Sequence, residues 1–348
     1  MCWVSKVLAA TIILPAFLCP GFAQQVPNSL KGKRSVVVNV LDGHGDALRD
    51  LAKENFRLRL NGKPVEVFDA RYSFAPRRII ILLDESGSMT EEGGSAKWRI
   101  AREAVDDLLT ATPTDVPIAM LTFTSNVRDI FDFFNSRSVI TNWLSKGPGQ
   151  QPKLKYPVRT ALFDAILAGL NFLSPVQPGD AVFVITDGGD NASQATLVQT
   201  KAALLYSGVR LFALLFDVPL PAPDDDPITI AYEQDGRDSL RKIVDDSGGS
   251  LFSIAGLRKR YRQDFEYTYD KENRSKLKLY TKELNDQVNG FWTLELAGPS
   301  SNKESEMNVE VVDHKGRRRK DVGVTYSRML SRCEVAQKCS STKILRSD

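Results

Sequence analysis

Two continuous apolar runs, each ending in an aspartate, constrain this chain more than any other feature. Ile79-Ile80-Ile81-Leu82-Leu83 leads into Asp84, and Ala181-Val182-Phe183-Val184-Ile185-Thr186 leads into Asp187. Neither run alternates polar with apolar residues, so each reads as a strand buried on both faces, as in a parallel sheet covered by helices. Helical and strand patterns alternate around them. Residues 98 to 111 place Ile100, Ala104, Leu108 and Ala111 on one helical stripe. Segments 116–125 and 129–134 read as strands, 138–144 as a helix, and 160–173 as another helix. Then come a helix over 194–206, a strand over 209–216, a helix over 238–246 closed by Gly248-Gly249, and a last strand over 251–254. The pattern predicts an α/β domain over 76–256 with a doubly wound, mostly parallel sheet.

The flanks have a different character. Residues 30–75 carry short alternating segments, with Val36, Val38 and Val40 on one strand face and turn signals at Gly43-His44-Gly45 and Asn61-Gly62. Residues 291–331 return to alternation in FWTLELAG and MNVEVV. Neither arm has enough strands to bury a core alone, so the two are expected to pair as a small β-sandwich, with the α/β domain inserted between them. Residues 257–290 read as a charged helical connector, and 332–348 as a polar tail.

The first 23 residues follow the pattern of a secretory signal. Lys6 precedes the apolar stretch 7–18, and Gly21-Phe22-Ala23 places small residues where a signal peptidase acts, which predicts cleavage after Ala23. The alternatives are a retained anchor or a lipoprotein signal modified at Cys19. No other segment is long and apolar enough to span a bilayer, so the mature chain is expected to be secreted, periplasmic or held at the cell surface. Cys333 and Cys339 then remain as the only cysteines, close enough for a small disulfide loop and too few for a structural zinc site. Lys plus Arg number 46 against 43 Asp plus Glu, a balance that gives no overall field for nucleic acid.

The chemistry gathers after the first buried run, in Asp84-Glu85-Ser86-Gly87-Ser88-Met89. A carboxylate and two hydroxyls at alternate positions on a tight loop converge oxygen atoms on one point, and Mg²⁺ favours such hard oxygen ligands. The loop lies at the carboxyl end of its strand, where ligands collect in open α/β sheets. Thr160 adds a hydroxyl at a helix start, and Asp187 ends the second run.

These three loops resemble the metal-ion-dependent adhesion site of von Willebrand factor A domains, over about half of the chain. All five ligand positions of that family are filled, by Asp84, Ser86, Ser88, Thr160 and Asp187. The flanking arms are similar to the secreted VWFA-related proteins of Acidobacteria. The resemblance implies one divalent cation, Mg²⁺ first, with Mn²⁺ or Ca²⁺ as alternatives. Asp84, Ser86 and Ser88 would bind it directly, Thr160 directly or through water, and Asp187 mainly through water. An open position would take an Asp or Glu carboxylate from a protein partner. One departure is Val158-Arg159 ahead of Thr160, where small residues are usual.

Other readings stay beside this one. Asp84 and Asp187 are also ordinary strand-end turn residues. Asp224-Asp225-Asp226 reads as a solvated loop or a calcium site, and the run Arg317 to Lys320 as an exposed hairpin tip or an anion-binding patch. Trp98 and Trp143 read as core or interface aromatics. Enzyme signatures are absent: the only histidines are His44 and His314, and there is no nucleophile elbow, P-loop or dinucleotide loop. A metal-dependent hydrolase on the same ligands would need a base, for which Glu85, Glu91 and Asp190 are nearest. A scaffold in which an ion only stabilises the loops is the remaining alternative.

Overall fold

The computed structural model describes residues 33–74, 78–90, 94–146, 159–177, 179–217, 227–255, 257–261, 264–268, 271–297 and 305–330. The signal segment, Glu91, the 147–157 loop, Asp224 to Asp226, Cys333 and Cys339 lie outside them.

In chain order, β1 (Lys33–Asp42), β2 (Phe56–Leu60), β3 (Lys63–Val65) and β4 (Val67–Ser73) come first. The α/β domain follows as β5 (Ile79–Asp84), α1 (Gly87–Thr90), α2 (Gly94–Ala111), β6 (Ile118–Phe123), β7 (Val127–Phe131), α3 (Arg137–Lys146) and α4 (Leu162–Phe172). It continues through β8 (Ala181–Thr186), α5 (Leu197–Ser207), β9 (Arg210–Asp217), α6 (Pro227–Ser247) and β10 (Leu251–Ala255). The hairpin β11 (Leu257–Tyr261) and β12 (Asp264–Thr268), helix α7 (Lys271–Asn289), β13 (Phe291–Ala297), β14 (Ser305–Val311), β15 (Val322–Tyr326) and β16 (Met329–Leu330) complete the chain.

The central sheet has the order β10-β9-β8-β5-β6-β7, parallel except for β7 at the edge. Its two faces are read directly off alternate residues of the apolar runs. Ile79, Ile81 and Leu83 of β5 face α2, α3 and α7, while Ile80 and Leu82 face α4, α5 and α6. All six residues of β5 and all six of β8 are buried, as runs without alternation predict. The chain leaves β5 toward β6 on one side and returns to β8 on the other. The adjacent carboxyl ends of β5 and β8 therefore form the switch point where such sheets bind ligands.

The two arms do pair. One sheet has the order β15-β1-β13-β4 and the other β16-β14-β2-β3, so each mixes strands from both ends of the chain. Val36, Val38 and Val40 meet Trp292, Leu294, Leu296, Phe56, Leu58, Met307 and Val309 in one core.

The 257–290 segment departs from its reading as a connector. It forms the β11–β12 hairpin and then α7, which packs on α2 and β10 as a member of the α/β layer. Leu277, Leu284 and Val288 are buried there, at spacings of seven and four that keep them on one stripe. Charged residues on the other faces of α7 hide that stripe from an inspection of composition.

Residue Arg210 joins the two bodies. It opens β9, is 2% exposed, and its Nη1 donates to Asn39 Oδ1 of β1 at 2.7 Å and to the Gln287 carbonyl of α7 at 2.6 Å. Asn39 Nδ2 donates in turn to the carbonyls of Gln287 and Gly290. The end of α7, where helix carbonyls lack intrahelical partners, is thus capped by side chains from the sheet and the sandwich. The run Arg317 to Lys320 is an exposed hairpin tip, folded on itself by Arg317 to Asp313 and Arg319 to Asp321 ion pairs.

Candidate metal centre

The buried end of β5 sets the first loop. Asp84 is fully buried, and its Oδ1 accepts the Ser86 N–H at 2.8 Å, which turns the chain back on itself. Its Oδ2 accepts the Thr186 hydroxyl at 2.6 Å, which ties the end of β5 to the end of β8. The Ser86 carbonyl receives the N–H groups of Met89 and Thr90, starting α1, and Met89 anchors the loop in the core. Ser86 Oγ and Ser88 Oγ lie 3.2 Å apart, and the Ser88 hydroxyl is near enough to Asp187 to favour its charged form. Four of the five residues singled out in the sequence therefore meet at one point.

Thr160 is tied through its backbone to the loop that follows Asp187. Its N–H donates to Asn191 Oδ1 at 2.9 Å, and its carbonyl accepts the N–H groups of Asn191 and Ala192. Its own hydroxyl makes no hydrogen bond among the described residues. Helix α4 begins without a capping side chain at Ala161, and its first amides are satisfied from the Asp187 loop instead. Asp190 Oδ1 accepts from Leu162 N–H, and Ser193 Oγ accepts from the N–H groups of Phe163 and Asp164. Asp164 replies by accepting from Gln194 and Ala195. The second and third loops are one hydrogen-bonded unit. Arg159, the departure from the family pattern, is exposed.

The third loop is also fitted to α6. Gly188 has φ +86, and a Cβ at Gly236 of α6 would stand 2.5 Å from the Gly188 carbonyl oxygen. Only a glycine at 236 lets α6 approach the Asp187 loop this closely.

Charge in the cluster is tightly managed. Burial, helped by the neighbouring Asp187 charge, pushes the Asp84 carboxyl up to about 7. Burial works against ionisation of Asp187 too, but the Lys97 ammonium, donating from Nζ to Asp187 Oδ2 at 2.8 Å, holds that carboxyl below its ordinary value. Lys97 is itself buried, at 6% exposure.

Among the described residues no three His, Cys, Asp or Glu side chains gather as a metal site, so a cation here has to draw on hydroxyls as well. The donor set fits a hard divalent ion: two carboxylates and two hydroxyls at the adjacent ends of β5 and β8, with a third hydroxyl on the adjoining loop. Of the residues offered as a catalytic base, Asp190 is committed to the start of α4, and burial pushes the Glu85 carboxyl up to about 7.

Thr186, Asn191 and Ser193 were not singled out from the sequence. A hydroxyl closing an apolar strand and an amide two residues past Asp190's neighbour Gly189 were the visible signals. Lys97 gave none, because a lone lysine reads as a solvated side chain.

This is a doubly wound α/β domain with an oxygen-lined loop cluster at its switch point. Residues 79–190, about a third of the chain, match the family model of the von Willebrand factor type A domain. No curated protein matches the chain. Similar solved structures include an aerotolerance-related membrane protein from Bacteroides fragilis, 17% identical, covering 61% of this chain and 98% of that one at a TM-score of 0.42. The conserved hypothetical protein BatB from Bacteroides thetaiotaomicron has the same identity and coverages, at 0.41. A von Willebrand factor type A protein from Catenulispora acidiphila is 11% identical, covering 87% of this chain and 75% of that one, also at 0.41. Likenesses this distant carry no argument about what the chain binds.

Proposed function

We propose that this chain is an exported, non-catalytic protein-binding module that holds one divalent cation on Asp84, Ser86, Ser88, Thr160 and Asp187. The observation that carries the reading is the meeting of Asp84, Ser86, Ser88 and Asp187 at the adjacent ends of β5 and β8. The ion, Mg²⁺ first and Mn²⁺ or Ca²⁺ as alternatives, would supply a Lewis-acidic position for an Asp or Glu carboxylate of a partner protein. The chain's own residues do the rest. Thr186 and the Ser86 amide orient Asp84, and Asn191 fixes the loop that bears Thr160. Among the described residues no helix is long and apolar enough to cross a membrane.

Calorimetry and thermal shift after chelator treatment test the reading, with Mg²⁺, Mn²⁺ and Ca²⁺ compared in the intact protein, Asp84→Ala and Ser86→Ala. Saturable binding by the intact protein, lost in both variants, is the expected result. No binding by the intact protein would sink it. The dense hydrogen bonding between the second and third loops favours a second reading, a scaffold whose loops hold without the ion. Partner capture that survives chelation would select that scaffold.

A further inference from the structure

Lys97 is the cation paired with the cluster that the ligand set does not use; Arg237 also acts on Asp187, more weakly. An ammonium at 6% exposure is costly unless it is paired, and Lys97 is paired with Asp187, one of the two carboxylates of the proposed site. The side chains are 7% and 10% exposed, so solvent screens their interaction little. The consequence is arithmetic. Two carboxylates alone would leave a bound divalent ion formally neutralised, whereas Lys97 adds one formal positive charge to the loaded site. The same ammonium opposes entry of the ion and attracts whatever anion binds next to it.

We propose that Lys97 sets the exchange of this site: it weakens the bare protein's affinity for the cation and strengthens the loaded site's affinity for a carboxylate. In the cation-free protein it also holds the Asp187 side chain in place, so the loops are assembled before the ion arrives. This rests on the cation-binding reading above. It makes Lys97 a positioning and specificity residue, with no direct part in coordination.

The experiment is calorimetric titration of Mn²⁺ into wild type, Lys97→Met and Lys97→Arg, followed by titration of acetate into each Mn²⁺-loaded protein. Circular dichroism confirms folding, and Lys97→Gln, which keeps a hydrogen-bond donor without the charge, serves if the methionine variant does not fold. Loss of the charge should tighten Mn²⁺ binding at least tenfold, about 1.4 kcal/mol, and weaken acetate binding severalfold. Lys97→Arg should stay close to wild type in both. Lys97→Met should also melt lower than wild type in chelator and show the larger Mn²⁺-induced rise. Neutral variants that bind Mn²⁺ no tighter than wild type would overturn the proposal and leave the cation site standing, since Lys97 would then be structural only. Unchanged acetate affinity would overturn its anion-attracting half. No Mn²⁺ binding by any form would remove the cation reading, and this proposal with it.

Discussion

The junction at Arg210 offers the sharpest test of how the two bodies are held together. Arg210→Met keeps most of the apolar stem and removes the guanidinium. Two short bonds disappear, one to Asn39 Oδ1 and one to the Gln287 carbonyl. The longer contacts to Gly179 and Val288, at 3.4 and 3.5 Å, are too long to add much. Bonds from a charged donor contribute about 1.5 to 3 kcal/mol each. Gln287 keeps Asn39 Nδ2 as a partner, so the unmet group left behind is mainly Asn39 Oδ1. The aromatic rings of Phe212 and Phe291, 5.4 and 5.0 Å from the guanidinium carbon, lose a cation–π contribution of about 1 kcal/mol. Relief of the buried charge's desolvation offsets part of this, leaving a net loss of about 3 kcal/mol. Urea unfolding followed by tryptophan fluorescence reads it, because Trp292 reports on the sandwich while Trp98 and Trp143 report on the α/β domain. In a Trp98→Phe, Trp143→Phe background, Trp292 should report a separate, earlier transition once Arg210 is replaced. A loss below about 1 kcal/mol with a single unchanged transition would refute the argument that Arg210 couples the two bodies.

Two further perturbations follow from the geometry. A Cβ at Gly249 would lie 1.9 Å from the Leu211 carbonyl oxygen, a backbone atom of β9 that has no rotamer to escape into. Gly249→Ala should therefore cost about 3 kcal/mol, and a urea midpoint within error of wild type would disprove the close approach. Asp313 is held at about 2, below the ordinary 3.8, by the Arg317 backbone N–H first, then the Arg317 side chain and the Lys315 amide. A depressed carboxyl stabilises the fold above its unfolded value and loses that contribution as pH falls through its folded value. The stability difference between wild type and Asp313→Asn should be constant from pH 5 to 7 and fade between about 4 and about 2. An NMR titration placing the Asp313 carboxyl near 4 would overturn it.

Much of this protein was legible in its sequence because its strongest signals are local. Buried parallel strands have to be continuous apolar runs, and β5 and β8 were visible as such down to their closing aspartates. The D-x-S-x-S spacing placed Asp84, Ser86 and Ser88 on one turn, since a loop that short has few ways to arrange its oxygens. The alternation of Val36, Val38 and Val40 marked a sandwich strand. What the chain could not disclose residue by residue is anything decided by long-range packing. The stripe on α7 is diluted by charge and gains meaning only against α2 and β10. Arg210 and Asn39 stand 171 residues apart in sequence, and nothing near either one announces a junction. Lys97 carried no signal of its own, yet the fold carries it onto Asp187, 90 positions away. Sequence determined where the oxygen donors lie along the chain, because strand ends and tight turns are local geometry. Only the tertiary structure decided which charge stands beside them, because Coulomb energy depends on distance in space.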